Sequence, residues 1–326
     1  MNEQGAKAGG KLRHVGSEVV HSRWKADIDP VLTTQPGDKV MIECRDGFDG
    51  QANPPVTGHD LDTTLYSTID FRRVAPLTGP IAMQGAQPGD VLEVRVLDII
   101  PFGTGTVVIF PSWVDNDFLL NEQRLDFPDA WVRSFDMDAA WKDGFIELTP
   151  RTRIPLSPMM GMLGTAPAKG EFITNPPRDF GGNMDVKDVA KGNTVYLPVF
   201  QPGALLSTGD GHGMQGDGEM CTTGLETPVR VTVELHLHGG RSIPGPQIES
   251  PDEFMTVSYG RTLDQAARRA MRYMIDYLVE RQGLDSHEAY AFLSLAGDLR
   301  INQVVDFPHV GVRVAIPKSC FDPWEW

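Results

Sequence analysis

Residues 207–219, STGDGHGMQGDGE, contain the group of side chains in this chain that is best suited to catalysis or metal binding. The functional groups in this segment belong to Asp210, His212, Gln215, Asp217 and Glu219, with five glycines between them. Glycine turns freely at positive φ and lets other groups approach the backbone, so this composition predicts a tight loop rather than a helix or strand. One imidazole and three carboxylates in one place would suit a hard or borderline metal ion with a spare acid or base beside it.

Two known motifs overlap this segment, and neither fits it. Residues 211–216 match the GxGxxG pattern of dinucleotide-binding folds, but that pattern requires an apolar helix after it, and Asp-Gly-Glu follows instead. An EF-hand loop that began at Asp210 would place His212 and Met214 where oxygen ligands are required. From this segment alone, an acidic, solvated surface loop remains an open alternative.

Two other stretches could add polar groups to the same site. Residues 176–185, PPRDFGGNMD, form a second glycine-pinched turn that carries Asp179, Asn183 and Asp185. Near the start of the chain, MIECRD follows a Pro-Gly-Asp turn and ends at Asp46. Apolar, β-like sequence precedes the glycine-rich segment, so strands are expected to hold these polar groups in place.

Taken together, these segments resemble the acetamidase/formamidase family. The main match is residues 181–219, GGNMDVKDVAKGNTVYLPVFQPGALLSTGDGHGMQGDGE, with support from residues 21–46, 77–99 and 155–167. The resemblance follows the family's order through most of the first 240 residues and is weaker in the final third. Members of this family are metal-dependent hydrolases of small amides or lactams. The resemblance therefore implies a small-amide hydrolase, with formamide, an acetamide-like compound and a γ-lactam all open as substrates.

The matched positions also imply a metal site. His212 and Asp210 are the expected ligands, and Asp46 from the N-terminal sheet is the expected third. Zn²⁺ is the expected ion, and Ca²⁺ stays open as a second, structural ion. A divalent ion of this kind lowers the pKa of bound water from about 16 to about 7 and polarises the amide carbonyl.

Four further residues are expected to serve catalysis. Glu219 is the expected general base and acid, because a carboxylate near such a water can take its proton and deliver it to departing ammonia. Asp185 is the next candidate for that role. Asn183 and Gln215 are expected to bind the substrate amide or stabilise the oxyanion. For each carboxylate, including Asp179 and Asp217, a hydrogen-bonded cap of its own loop is the alternative.

A rival metal site lies on the predicted strand at residues 229–237. His236 and His238 share the polar side of this strand with Glu234, because side chains two residues apart point the same way. The family resemblance does not extend to histidines here, so a polar outer face is the simpler interpretation. Cys221 is a lone cysteine with no partner-histidine signature and is not expected to be a nucleophile.

The predicted fold is mainly β, with β-sandwich or barrel-like sheets and a C-terminal α+β portion that contains a helical hairpin. Residues 35–46 and 87–98 share one frame, a Gln-Pro-Gly-Asp turn followed by a strand with alternate apolar residues. We expect a β-rich catalytic domain over residues 1–240, completed by residues 241–326.

The helical hairpin is predicted from capping residues. Thr262 is a plausible N-cap, an apolar stripe follows it, and Gly283 ends the first helix. Asp285 can cap a second helix that runs through Ala296. Residues 301–316 then return to strand.

Composition restricts the class of protein. The net charge of −15 argues against a nucleic-acid partner, whose phosphates would be repelled. No apolar run is long enough to suggest a membrane span or signal peptide. Three widely spaced cysteines without a CxxC pair predict reduced thiols, and with them a cytoplasmic protein. A homodimer or higher homo-oligomer is expected.

A non-catalytic binding protein is the alternative function class. A metal-stabilised β-sandwich that binds a ligand without catalysis would be expected to carry a secretion signal and an exposed aromatic platform, and the sequence favours neither. Residues 102–144 are aromatic and acidic and could shape a roomier substrate pocket. His21 could line the mouth of that pocket, whereas His59 lies in a Pro/Gly-rich loop and is left outside the site.

Overall fold

Nineteen strands and three α-helices make up the described part of the chain, residues 12–52, 69–110, 131–324 and 326, in a computed structural model. The strands are β1 (Leu12–Val15), β2 (Val20–His21), β3 (Leu32–Thr34), β4 (Lys39–Cys44), β5 (Leu77–Met83), β6 (Val91–Pro101), β7 (Thr104–Ile109), β8 (Trp131–Asp136), β9 (Phe145–Thr149), β10 (Thr152–Pro155), β11 (Met159–Gly164), β12 (Gly181–Asn183), β13 (Thr194–Pro198), β14 (Leu206–His212), β15 (Val229–His238), β16 (Gln247–Glu249), β17 (Glu253–Gly260), β18 (Asp298–Gln303) and β19 (Val310–Pro317). The helices are α1 (Met137–Asp143), α2 (Leu263–Arg281) and α3 (Ser286–Ala296).

Two large sheets dominate the architecture. One has nine strands in the order β1-β4-β15-β6-β13-β16-β17-β19-β18, and the other has the order β12-β11-β14-β5-β2 with β3 also paired to β5. Two-stranded ribbons, β10-β9 and β7-β8, complete the described strands. Pairing is antiparallel except for β1 with β4 and β3 with β5. The mainly β fold class is confirmed.

The main hydrophobic core lies between the two large sheets. Ile42 of β4 and Val231 of β15 belong to the nine-stranded sheet, and they share one buried cluster with Ile81, Met160 and Leu206 of the other sheet. Burial of apolar side chains from both inner faces is the packing expected of a sandwich.

Alternation along the strands matches the prediction from sequence. In β4 the burial pattern is strictly alternating, with Val40, Ile42 and Cys44 buried. The β15 strand likewise buries Val229 and every second residue through Leu235. A one-residue slip would turn these apolar side chains to the opposite face, so the pattern fixes the register.

The C-terminal hairpin of helices forms as predicted. The Thr262 side chain accepts a hydrogen bond from the Gln265 amide at the start of α2, and Asp285 forms a capping box with Glu288 at the start of α3. The two helices share a second core with Phe254 of β17 and Val312 of β19. Among the described residues, no helix combines the length and apolar character needed to cross a membrane.

Strands from both expected portions, residues 1–240 and 241–326, are hydrogen-bonded within the nine-stranded sheet. The junction is the antiparallel pairing of β13 with β16, in which Val195 lies opposite Ile248. The division of the chain at residue 240 stays a proposal.

The first half of the glycine-rich segment is a strand, so the prediction of a loop is wrong there. Residues 207–212 belong to the buried strand β14, between β11 and β5, rather than to a loop. Glycine is tolerated here because the backbone is tightly surrounded: a Cβ on Gly209 would lie 2.2 Å from the Pro76 carbonyl oxygen, and one on Gly211 would lie 2.3 Å from a methyl of Val229. The glycines thus permit close approach, not a turn.

Candidate functional site

His212, the last residue of β14, is the centre of the candidate site. Its side chain is fully buried, and both ring nitrogens lie close to oxygen atoms. Nδ1 is 2.9 Å from Oε1 of Gln215, whereas Nε2 is 3.0 Å from Oε1 of Glu226 and 3.6 Å from Oδ2 of Asp210. The sequence prediction that His212 and Asp210 lie together therefore agrees with the geometry.

Two overlapping groups of potential metal ligands share His212. One comprises Asp185, His212 and Glu219, and the other comprises Asp210, His212 and Glu226; in each, the ligand atoms lie within 4.8 Å of one another. All five residues are buried. They come from two parts of the chain, Asp185 and the stretch from Asp210 to Glu226, which the fold brings together.

Glycines from two other segments make room for these side chains. A Cβ on Gly161 of β11 would lie 2.7 Å from oxygens of both Asp185 and Asp210. A Cβ on Gly47 would lie 2.5 Å from oxygens of Asp210 and Glu226. Any larger residue at either position would occupy the space that the carboxylates use, so these glycines are part of the site.

Three of the clustered carboxylates sit on unusual backbone. Asp185, Asp210 and Glu219 have φ angles of 46°, 54° and 45°, in the left-handed region that non-glycine residues rarely adopt. Each such residue costs roughly 1–3 kcal/mol and persists only where the surrounding structure imposes it. Strain at three residues of one cluster is the pattern found at functional sites.

Carboxyl groups are concentrated in this buried region. Asp306, from the connection between β18 and β19, adds a fifth carboxylate to the four already described, and it accepts a hydrogen bond of 2.9 Å from Nδ2 of Asn183. Burial and the nearby Asp210 raise the pKa of Asp306 to about 8. Burial likewise raises the pKa of Glu226 to about 8, with a further contribution from Asp210.

Burial and neighbouring carboxyl groups also shift the pKa values of Asp185, Glu219 and His212. Burial, together with Asp306 and Asp210, raises the pKa of Asp185 well above its usual range, and burial with Asp185 does the same for Glu219. Burial alone would lower the pKa of His212, but the carboxylates of Glu226 and Asp210 outweigh it and raise that pKa well above normal. The negative charge of five carboxylates around one imidazole must therefore be neutralised, either by bound protons or by a cation.

A cavity of about 270 Å³ opens onto this cluster. Asn183, Asp210, Glu219, Glu226 and Asp306 line it, whereas His212 and Asp185 do not. Much of the remaining lining is apolar and includes three aromatic rings, Phe48, Phe71 and Phe110. The cavity thus has a carboxylate-rich floor and an aromatic wall.

The other predicted site residues take different positions. Gln215 connects His212 to the backbone of Asp185. Its Nε2 donates a hydrogen bond to the Asp185 carbonyl at 2.9 Å, and its Oε1 faces the ring of His212. The Asp46 carboxylate accepts hydrogen bonds from the backbone amides of Phe48 and Gly50, at 3.0 and 2.9 Å, and burial raises its pKa. Among the described residues, neither ligand group includes Asp46.

The histidines of β15 lie away from this cavity. Nε2 of His236 is 2.7 Å from Glu234, and Nε2 of His238 is 2.5 Å from Glu93. Neither histidine belongs to a ligand group in the described part of the chain. His21 is hydrogen-bonded to Ser207 at 3.0 Å, while His59 and residues 111–130 of the aromatic segment lie outside the described residues.

Two further aspartates pair with arginines. Asp179 binds Arg269 of α2 at 2.7 Å, and Asp217 binds the fully buried Arg313 of β19 at 2.8 Å. Both contacts reach the C-terminal part of the chain, so these aspartates are more than caps of their own loops.

Sequence reasoning missed Glu226 and Asp306. Glu226 stands in TGLETP with no motif around it, and only the tertiary bridge between His212 and Glu226 brings it to the site. Asp306 fell inside a predicted strand, but Pro308 two residues later was an available signal for a break. The structure has a connection at residues 304–309 between β18 and β19.

Comparisons with known proteins identify the family. A model of the Acetamidase/Formamidase family matches residues 11–172 and 170–323. The chain is 26% identical to a formamidase of Methylophilus methylotrophus, over 93% of this chain and 89% of that protein. A crystal structure of an acetamidase from Bacillus halodurans has 32% identity and a TM-score of 0.87, covering 96% of this chain and all of that one. A γ-lactamase from Delftia acidovorans is more distant, with 26% identity and a TM-score of 0.63 over 94% of this chain and 90% of that one.

Proposed function

Because this chain belongs to the acetamidase/formamidase family, it is an amidohydrolase that acts on C–N bonds other than peptide bonds, and we propose that it hydrolyses small amides with the help of a divalent metal ion at His212. The observation that carries the proposal is the excess of buried carboxylates around the ring of His212. Nε2 of His212 lies 3.0 Å from Glu226 without an aligned hydrogen bond, and both oxygens of Asp185 are buried with no hydrogen-bond partner among the described residues.

The donor set suits a metal of the Zn²⁺ type. One imidazole nitrogen and carboxylate oxygens are the ligands that catalytic zinc sites use. His212 and Asp210 would hold the ion, with Glu226 as the third ligand in place of Asp46, whose carboxylate is engaged by backbone amides. The oxygen-only pair of Asp185 and Asp306 would suit the harder Ca²⁺ as a second ion.

Glu219 is assigned the proton transfers. The ion, when bound, supplies a water of lowered pKa and a polarised carbonyl. Glu219 lines the cavity, so it can take a proton from the attacking water and pass it to the amide nitrogen as the C–N bond breaks. The products are a carboxylate and an amine or ammonia. Asp185 does not line the cavity and is less well placed for this role.

Asn183 is assigned the substrate amide. One end of its side chain donates to Asp306, while its Oδ1 is buried with no partner among the described groups. A carboxamide oxygen can only accept, so it would receive an N–H of the substrate. Gln215 instead faces His212 and is a positioning residue.

The cavity favours amides larger than formamide. Its volume of about 270 Å³ is far more than formamide, with three non-hydrogen atoms, would fill. Rings of Phe71 and Phe110 lie 6.4 Å apart, and those of Phe48 and Phe110 lie 6.2 Å apart, so the wall can hold an apolar substituent. This lining favours γ-lactams and amides whose acyl group is larger than formyl.

The test is turnover that depends on added metal. Ammonia release from formamide, acetamide and benzamide, and ring opening of a γ-lactam, are measured on chelator-treated protein with and without Zn²⁺. Turnover of one compound that is lost on chelation and restored by Zn²⁺ is expected. Turnover that survives complete metal removal would overturn the metal assignment.

The metal content per chain, measured on the same samples, distinguishes a metal-dependent amidase from a non-catalytic binding protein. Protein that binds one ion per chain but turns over no amide would favour a metal-stabilised ligand-binding protein instead. Cytoplasmic location and a homodimer or higher oligomer also remain proposals, and light scattering during size-exclusion chromatography tests the second.

A further inference from the structure

A second cavity, of about 490 Å³, lies apart from the catalytic one. It is formed by the turn that precedes β12, the end of β17, the start of α2 and the residue His309. No residue that lines it also lines the cavity at His212. The proposed amidase chemistry makes no use of this space.

The charge of this second cavity is opposite to that of the chain. Its lining contains four cations, Lys169, Arg178, Arg261 and Arg269, and only one acidic residue, Asp179. The whole chain carries a net charge of −15. Burial and the charges of Arg178, Arg261 and Arg269 lower the pKa of His309, which shows that these arginines act on the same region. Such a local positive field attracts anions.

Arg178 has a buried donor atom that lacks a hydrogen-bond acceptor among the described residues. Its guanidinium lies over the Phe172 ring, 4.1 Å from the centroid, and its Nε is buried without an acceptor. Within the described part of the chain its side chain forms no ion pair, since the neighbouring Asp179 is bound to Arg269. Burial lowers the pKa of Arg178, against the opposing charge of Asp179. Arg269 differs, because it is already bound to Asp179, to the Tyr259 carbonyl and to the Tyr273 hydroxyl.

A second unpartnered donor lines the same cavity. The hydroxyl of Tyr259 is buried and has no hydrogen-bond partner among the described residues, and the side chain as a whole is only 2% exposed. Buried polar groups are nearly always hydrogen-bonded, so two such groups at one cavity indicate a missing ligand.

The rest of the lining is apolar. Phe172, Phe180 and Phe200 face the cavity, and rings of Phe172 and Phe180 lie 6.1 Å apart. A bare inorganic ion would leave these rings without contact and most of the volume empty. We propose that this cavity binds an organic anion, a carboxylate or phosphate group on an apolar body, with the fork of Arg178 as its anchor.

Calorimetric titration of the full chain tests this site. The probes are benzoate, phenyl phosphate, inorganic phosphate and, as the neutral control, benzyl alcohol. Benzoate or phenyl phosphate is expected to bind with one site per chain, and the tighter of the two identifies the anionic group. Binding of inorganic phosphate alone would overturn the need for an apolar body, and no binding of any anion would overturn the site.

Arg178→Met removes the proposed anchor. Because a charge-assisted bidentate contact is lost, affinity for the aromatic anion is expected to fall roughly ten- to hundredfold. Arg153→Met is the matched control, since Arg153 also lies over a ring, that of Phe145 at 4.8 Å, but on the exposed β9–β10 ribbon. Equal loss in both variants, or none in Arg178→Met, would contradict the proposal.

Carboxylates could also bind at the catalytic site, so the location is tested separately. Crystals of the unaltered protein soaked in 4-iodobenzoate should show anomalous scattering from iodine near Phe172 and Arg178. Signal confined to the His212 cavity would overturn the assignment. Arg178→Lys covers the case in which Arg178→Met fails to fold, because it keeps the charge but loses the fork, and an intermediate affinity is expected.

Discussion

Gln215 and His212 are joined by a contact of 2.9 Å between the amide Oε1 and the ring Nδ1. An amide oxygen only accepts, so this contact places a proton on Nδ1. Glu226 and Asp210 raise the pKa of His212 and so favour a second proton on Nε2; a metal ion would displace that proton and take the Nε2 lone pair, which faces Glu226 and Asp210. The other end of the amide is fixed to the carbonyl of Asp185 at 2.9 Å. Gln215 thus sets both the tautomer and the orientation of the proposed metal ligand.

Gln215→Ala should therefore weaken metal binding. Loss of a group that orients a histidine ligand typically costs about 10- to 100-fold in metal affinity. Competition against a chelating dye measures the Zn²⁺ dissociation constant, and Gln282→Ala, at the far end of α2, is the control expected to match the unaltered protein. An unchanged dissociation constant in Gln215→Ala would remove its positioning role.

Glu219→Gln should separate catalysis from metal binding. The substitution keeps the shape of the side chain but removes its ability to carry a proton, so kcat should fall roughly 10²- to 10⁴-fold. Zn²⁺ content per chain should stay the same, because His212, Asp210 and Glu226 remain. Glu147→Gln on the exposed ribbon is the control. Loss of the ion together with activity would make Glu219 a ligand instead.

Local physics explains which parts of the structure the sequence predicted. β4 and β15 alternate because each has one face in the core, and this leaves a period of two in the residues. The caps at Thr262 and Asp285 are contacts within one turn of the helix, so their signals are complete in a few residues.

The misses depended on contacts between distant segments. β14 was mistaken for a loop because the glycines at 209 and 211 accommodate Pro76 and Val229, which no local pattern reveals. Glu226 and Asp306 join the cluster through tertiary packing, and their types alone do not distinguish them from surface acids. Hydrophobic periodicity identifies buried strands but carries no information on which polar residues converge.

Gly211→Ala tests the close approach of β14 to β15. The added Cβ would lie 2.3 and 2.4 Å from the two methyl carbons of Val229, and overpacking of this kind costs about 1–3 kcal/mol. Gly216→Ala is the matched control in the same segment, since a Cβ there meets nothing within 4 Å. Urea unfolding measures both.

A double variant sharpens that test. Val229→Ala removes the two methyl groups and leaves only its Cβ, at 2.9 Å, in the way. Val229→Ala combined with Gly211→Ala should therefore be less destabilised than the sum of the single variants. Simple additivity of the two free-energy changes would show that the contact is not the cause.

Asp217→Ala should destabilise the fold through Arg313. The buried guanidinium lies 2.8 Å from Asp217 and 2.9 Å from Asp188, so removal of one carboxylate leaves it partly uncompensated. Because Asp217 is about one-third exposed, we expect a loss of about 1–3 kcal/mol rather than the larger cost of a fully buried pair. Asp298→Ala, which breaks a surface pair with Arg300, should cost about 0–1 kcal/mol. Equal unfolding midpoints for the two variants would contradict the special role of Arg313.

Phe71→Ala should narrow the substrate range. Phe71 lines the aromatic wall but is 42% exposed, so its loss should change the free energy of unfolding little while removing a contact to an apolar substituent. Aromatic contacts contribute about 0.5–1.5 kcal/mol, so kcat/KM for benzamide should fall roughly two- to tenfold, whereas kcat/KM for formamide should not change. Leu299→Ala, also exposed but in β18 and outside the cavity, is the control. If formamide and benzamide lose equally, the ring supports the fold of the wall rather than the substrate, and the preference for larger amides would need another source.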